Sequence, residues 1–471
     1  MIEKRGMNAM TDLLKNTILR RLANSRVFRP ALLLTTLAFF ILIIMAGFIG
    51  SPVGNSNAAI VFVWIFWFAL LILILLPLGR VWCMICPLPA PAEWISRGKI
   101  VEKSDSITNL GIRWPRQLDN IWLQNISFLA VAIFSPLILT RPDVSALVLL
   151  LFIILAIVFD ITFKKGRPGR IFCRYVCPIG GFIGIYSHMG AVEVRSRDKA
   201  ICKKCEYKTC IKGNDRGYGC PWLIYPGGLN KNAYCGVCLE CIKSCAYSNM
   251  TVKTRWFGED LLVERRMDEA FKGFIMLGSA MVYSASYFGW WKGLKELINF
   301  SDSVFLSTEL YWSRIATFAM LLVGLCIIVL PALNLGFSYL SKAWGKRDIS
   351  LKQTFIDYAY GTIPLGFMAW AAFIISMIMV NGSYIISTLS DPFGWGWNIF
   401  NTAGYKWAPY QTGSLPYIQM IMLLGGCLLA VNVIWKVSVE DFKENAIKAA
   451  IPMTLFYALL TSFLMFLFVM P

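Results

Sequence analysis

The chain has 471 residues, 57% of them hydrophobic and 15% charged, with a mean hydropathy of +0.60. Soluble domains carry about 25% charged residues, so a soluble enzyme is excluded, as are disordered and fibrous chains. Fourteen cysteines stand against a single histidine, His188. Bis-histidine haem, histidine-ligated copper and multi-histidine zinc all need more imidazole than this, which leaves cysteine to carry any metal chemistry.

The net charge of +18 has a topological reading rather than a nucleic-acid one. Nine apolar spans lie near 31–50, 58–78, 121–140, 144–163, 271–291, 312–334, 357–380, 417–435 and 450–470, each close to the roughly 20 residues that cross a bilayer. With the N-terminus inside, only Arg141, Lys292, Lys295, Arg314 and Lys406 of the 45 Lys and Arg fall outside. The bias persists when the long inner segment 164–272 is set aside, and it predicts N-terminus in, C-terminus out. The expected fold is an all-α polytopic protein of the cytoplasmic (inner) membrane, with about nine transmembrane helices and an inserted cytoplasmic domain. Lipid is its expected surroundings and nucleic acid is not expected as a partner.

In chain order, residues 1–30 form a basic cytoplasmic segment carrying Arg20, Arg21, Arg26 and Arg29. No small-residue cleavage site follows the first span, which reads as an uncleaved anchor. Residues 31–187 hold two hairpins that repeat. The first ends in Gly79-Arg80-Val81-Trp82-Cys83-Met84-Ile85-Cys86-Pro87, the second in Gly169-Arg170-Ile171-Phe172-Cys173-Arg174-Tyr175-Val176-Cys177-Pro178, an offset of 90 residues. Internal symmetry in a membrane protein commonly places a shared site at the repeat interface. Both hairpins go out and return, so both cysteine pairs are expected at the cytoplasmic face.

Residues 188–268 form a polar insert that reads Cys202-x2-Cys205-x4-Cys210-x9-Cys220, then Cys235-x2-Cys238-x2-Cys241-x3-Cys245. Eight cysteines in two runs match a two-cluster ferredoxin, in which the fourth ligand of each cluster comes from the other run. The spacing assigns Cys202, Cys205, Cys210 and Cys245 to one [4Fe–4S] cluster and Cys220, Cys235, Cys238 and Cys241 to the other. Paired four-thiolate zinc sites are the alternative; the x2-x2-x3 run favours iron–sulfur.

Cys83, Cys86, Cys173 and Cys177 supply enough thiols for a third iron–sulfur centre at the membrane boundary. A thiol–disulfide redox pair and cysteines that merely pack against proline remain open beside it. Arg80 and Arg170, each three residues before a cysteine, would set a cation beside an anionic cluster, and each also reads as a helix-ending snorkelling arginine. The segment 164–272 has a net charge of +10, suited to steering an acidic redox carrier. His188 is assigned no role. In the second membrane block, 271–471, Cys326 and Cys427 read as packing residues. The outer loop from Asp391 through Trp395, Trp397, Trp407 and Tyr410 reads as an interfacial aromatic belt.

The element at 169–178, its partner at 79–87 and the eight-cysteine segment that follows resemble the NapH/NosR family of membrane polyferredoxins over about residues 31–250. The resemblance implies electron transfer between the quinone pool, cytoplasmic-side iron–sulfur clusters and a respiratory reductase outside the membrane. Carried onto this chain, it pairs Cys83 with Cys86 and Cys173 with Cys177, and takes the eight insert cysteines as cluster ligands. The first pair is one residue shorter than the family's Cys-x3-Cys-Pro, and the second membrane block extends beyond a minimal member.

The expected function is a membrane-integral electron-transfer subunit of an oxidoreductase complex, working with redox partner subunits and exchanging with quinone. No catalytic residue is assigned, since no nucleotide fingerprint or catalytic triad is present. Two alternatives are an ion-translocating energy-coupling subunit, with Asp160, Asp357 and Arg314 as candidates, and a redox sensor or maturation factor for a metalloenzyme.

Overall fold

The computed structural model describes residues 11–100, 109–165, 167–287 and 308–469. The fold is mostly helical with little sheet. Among the described residues, six helical stretches are long and apolar enough to cross a membrane: Phe28–Ile49, Ala58–Leu78, Pro142–Thr162, Trp312–Gly345, Leu351–Asn381 and Thr412–Phe468. The last of these contains two helices, Leu415–Phe442 and Ala446–Val469.

The expected span 121–140 is interrupted. Its helix, Trp122–Ile133, has only 12 residues and gives way to the short turn Ser135–Ile138. Pro136 is the cause, because it has no N–H to offer the carbonyl four residues back. That carbonyl, on Ala132, instead accepts the hydroxyl of Tyr283 at 3.2 Å, which keeps a buried backbone group satisfied. The span near 271–291 is the buried helix Met267–Tyr287; the remainder of that expected span lies outside the described residues.

The chain divides into two compact units. The first comprises Met1–Leu42, Ile74–Gln124 and Val148–Val263, and contains all twelve cysteines singled out above. Within it, strand Val192–Ser196 pairs antiparallel with Met250–Thr254, in register from Val192 opposite Thr254 to Ser196 opposite Met250. The two strands bracket the cysteine-rich segment and pack Val192, Val194, Met250 and Val252 against Val237, Ile242 and the thiols Cys210, Cys235 and Cys241. The N-terminal segment is strapped to this sheet: Thr251 donates to Asp12, and Arg197 pairs with the same carboxylate at 3.1 Å.

The second unit comprises Ile43–Leu73, Asn125–Leu147 and Glu264–Pro471. Asn57, fully buried, closes the turn between its first two helical segments. Its side chain caps the helix at Ala59 and donates to the carbonyls of Ala46 and Ser51. Helix Met267–Tyr287 packs on the helices of the C-terminal block, with Tyr283, Trp370 and Phe373 in mutual ring contact. Cys326 sits where a Cβ on Gly278 would lie 2.6 Å from its sulfur.

Candidate metal centre

The two hairpin motifs share a sequence but use their glycines differently. Gly79 ends the helix Ala58–Leu78 in the left-handed region, at φ +63°, where a residue without a Cβ is favoured. Gly169 is needed for space, because a Cβ there would lie 2.7 Å from both the Pro221 carbonyl oxygen and Leu223. Each motif then forms a short helix, Trp82–Ile85 and Ile171–Tyr175. A second short helix follows each Cys-Pro element, Ala90–Arg97 in the first copy and Pro178–Tyr186 in the second. The Asp160 carboxylate caps the second motif by accepting Phe172 N–H at 2.9 Å.

The motif arginines cross between the copies. Arg170 donates to the Cys83 carbonyl at 2.8 Å and grips the Glu93 carboxylate through Nε and Nη2 at 2.9 and 2.5 Å. Arg80 lies against the second copy, over Gly180 and Gly184, where a Cβ would come within 3.2 and 3.1 Å of its guanidinium. Its Nε donates to the Cys83 sulfur at 3.2 Å. Its Nη1 donates to the Ala233 carbonyl, and its Cζ sits 4.3 Å above the Trp222 ring. The sequence reading did not single out Gly180-Gly181-x2-Gly184, the small residues that leave room for this guanidinium.

Cys83, Cys86, Cys173 and Cys177 are all buried and within electrostatic reach of one another. Burial chiefly, with Cys83 facing it, pushes the Cys177 thiol up to about 11. Cys173 is likewise raised by burial and by Cys177. In the insert, Cys210 is pushed up to about 11 by burial and by Cys245, Cys202 and Cys205, and the Tyr225 phenol faces the same four thiols. Cys220, up to about 12, faces Cys238 and Cys235. Cys241 is raised by burial and by Cys238, Cys235, Cys220 and Cys210. Each of these thiols thus lies near other cysteine sulfurs. Cys210 and Cys241 are the neighbours between the two insert sets.

Local backbone turns aim these thiols. Lys208, Val237, Leu239 and Ser248 all have φ between +46° and +65°, in the short gaps between successive cysteines or just after the last. Non-glycine residues enter that region at a cost, and such strain clusters at functional sites. Four sulfurs also accept N–H donors at 3.2 Å: Cys83 from Arg80, Cys177 from Gly180, Cys202 from the Asn249 side chain and Cys245 from Asn249 N–H. Donors of this kind tune a thiolate-bound metal.

Fit to a cofactor is tested by the donor sets and the charges around them. Cys220, Cys235, Cys238 and Cys241 line one apolar cavity with Val194, Trp222, Ile224 and Leu229. Among the described residues, no three Cys, His, Asp or Glu side chains converge tightly enough to hold a single ion. Four thiols with no carboxylate or imidazole in the lining are a donor set that an iron–sulfur cluster accepts, as zinc also does.

Charge points the same way. Arg29, Arg80, Arg170 and Lys243 are each at most 6% exposed, and the buried carboxylates that ion-pair within this group are Glu93 and Glu240. Glu93 is shared by Arg29 and Arg97, at 2.7 Å each, and by Arg170. Glu240 holds Lys243 at 3.0 Å and lies 3.6 Å from Arg29. Arg80 has no carboxylate partner among the described residues, and its Nη2 has no hydrogen bond. A buried cation without a counter-charge is costly. An anionic thiolate-bound cluster beside Cys83 would supply that counter-charge. The sequence reading singled out neither Glu93 nor Trp222. His188 is fully buried, its Nδ1 2.9 Å from the Ile185 carbonyl oxygen.

A family described as a 4Fe-4S binding domain matches residues 60–104 and 143–195, the stretches that carry Cys83, Cys86, Cys173 and Cys177. A protein of Methanocaldococcus jannaschii described as uncharacterized is 32% identical over 75 residues, which is 16% of this chain and 27% of that protein. The chain therefore spans about a quarter of that relative's length. No solved structure matches. Buried thiol sets, long apolar helices and the domain match together support an iron–sulfur protein with membrane-type helices.

Proposed function

We propose that the chain is a membrane-integral electron-transfer subunit that relays electrons between cytoplasmic-side clusters, the quinone pool and a respiratory partner, as its resemblance to the NapH/NosR polyferredoxins implies. In this reading residues 1–30 are a cytoplasmic segment and 31–187 two repeated hairpins. Residues 188–268 form a ferredoxin-like domain with two [4Fe–4S] clusters, and 271–471 a second membrane block, with about nine crossings in all. Cys83, Cys86, Cys173 and Cys177 hold a third cluster. When bound, such clusters supply one-electron carriers.

The chain's own residues do the rest. Burial of ten of the twelve thiols keeps water away, and the N–H donors at 3.2 Å from sulfur would hydrogen-bond ligating thiolates. The carrying observation is Arg80, a buried cation without a carboxylate, touching Cys83 on one side and Ala233 and Trp222 on the other. Its position supports a linear order in which the insert set holding Cys235 lies between the membrane-boundary set and the set holding Cys210.

The test is a single-turnover assay on full-length protein kept free of oxygen in lipid nanodiscs. A short-chain quinol or quinone should bleach or restore the visible iron–sulfur absorption. A cluster-loaded protein whose spectrum ignores both would exclude quinone as its exchange partner.

A further inference from the structure

Burial is uneven across the three thiol sets. Ten of the twelve cysteines are buried, and the two half-buried ones, Cys205 and Cys245, belong to the same set. Around them the surface is basic and aromatic. Lys203, Lys204 and Lys208 are exposed. Tyr207 and Tyr247 are 62% and 52% exposed, with ring centroids 6.1 Å apart. Tyr247 lies within electrostatic reach of Cys205. From 198 to 216 the exposed charges are Lys199, Lys203, Lys204, Lys208, Lys212 and Arg216 against Asp198, Glu206 and Asp215, an excess of positive charge.

We propose that this face, centred on Cys205 and Cys245 and rimmed by Lys203, Lys204, Lys208, Tyr207 and Tyr247, docks a soluble acidic one-electron carrier protein. The inference rests on the reading of Cys202, Cys205, Cys210 and Cys245 as a cluster site. Electron transfer between proteins needs the donor close to the acceptor, and among the three sets this one alone has ligands that reach the surface. Two exposed tyrosines offer contact area at small entropic cost. The lysines would raise the encounter rate with a partner of opposite charge and let it leave again when salt screens them. One electron passes from the reduced carrier to the set behind Cys205 and Cys245, leaving the carrier oxidised; no bond is made or broken.

The experiment is stopped-flow reduction of the cluster-loaded full-length protein by an acidic ferredoxin reduced beforehand. Its second-order rate should fall about tenfold as ionic strength rises from about 20 to about 500 mM. The triple variant Lys203→Glu/Lys204→Glu/Lys208→Glu should lose a similar factor at low salt and flatten the salt dependence. Reversal of the exposed Lys346 and Lys352 in the second unit should change neither. A basic cytochrome as oxidant of the reduced protein should show the opposite salt trend. A salt-independent rate, or equal loss on reversing Lys346 and Lys352, overturns the docking face. Iron content and EPR of each variant keep the tests apart: a protein that binds no cluster refutes the underlying reading, while a loaded protein with no salt effect refutes only the docking.

Discussion

Arg80 and Arg170 occupy the same place in two copies of one motif, yet they meet opposite surroundings. Arg170 is ion-paired with Glu93, a carboxylate it shares with Arg29 and Arg97. Arg80 contacts a thiol, a carbonyl and an indole ring, and no carboxylate. Repetition supplied the scaffold, and divergence after the first Cys-Pro element, where Glu93 follows Pro91 and Ala92, gave one arginine a carboxylate partner and left the other without one among the described residues. The lesson is that a buried charge without a partner marks where an anionic group belongs, even when the group itself is not seen.

Removing thiols should break this comparison most severely. Cys83→Ala with Cys177→Ala is expected to lower iron by about four per chain and remove one EPR species, leaving those of the insert. Unchanged iron would return these cysteines to a packing or disulfide role. Glu93→Gln comes next. It leaves Arg29, Arg97 and Arg170 facing one another and should cost about 3 kcal/mol of stability in thermal unfolding.

Acid should reveal the same carboxylate. Burial works against its charge, but Arg170, Arg29 and Arg97 outweigh that and hold the Glu93 carboxyl well below the usual range. Its contribution is therefore complete above the ordinary glutamate value of about 4.3 and is lost as pH falls through the lower folded value. The Glu93→Gln variant should lack that part of the acid sensitivity.

Exchanging the arginines sharpens the contrast. Arg80→Gln removes a cation that favours the reduced, more negative cluster, so one midpoint potential should fall by about 60 mV, a tenfold change in a one-electron equilibrium. Arg170→Gln should chiefly lower stability and shift the potential less, because Glu93 masks its charge. The smallest effects belong to the glycines. Gly169→Ala, crowded by the Pro221 carbonyl, should cost about 1–3 kcal/mol, and Gly79→Ala about 1 kcal/mol for its left-handed backbone. Equal costs would mean that the two turns are not built differently.

Much of the site was legible in the sequence because cysteine spacing is short-range. The runs Cys202 to Cys220 and Cys235 to Cys245 are short stretches of chain, and Cys210 and Cys241 are neighbours in the fold. The 90-residue offset of the hairpins relates Cys83 and Cys86 to Cys173 and Cys177 in the sequence, and Cys86 and Cys177 are neighbours in the structure. Pairings carried by long side chains over large separations were not legible. Arg170 reaches 77 residues back to Glu93, and Arg80 reaches 153 residues forward to Ala233. Nothing local in the sequence encodes either contact. The break at Pro136 was readable in principle, but apolarity on both sides hid it. In the second unit, helix Met267–Tyr287 buries Glu269 and Lys272 almost completely, and hydropathy placed its span just past the first of them.

The central proposal is that three thiol sets hold iron–sulfur clusters, and metal and sulfide analysis of full-length protein purified without oxygen tests it most directly. About twelve irons and twelve acid-labile sulfides per chain, with EPR signals from interacting [4Fe–4S] centres on reduction, is the expected result. Stoichiometric zinc without sulfide, or colourless metal-free protein that is nonetheless folded, would contradict it.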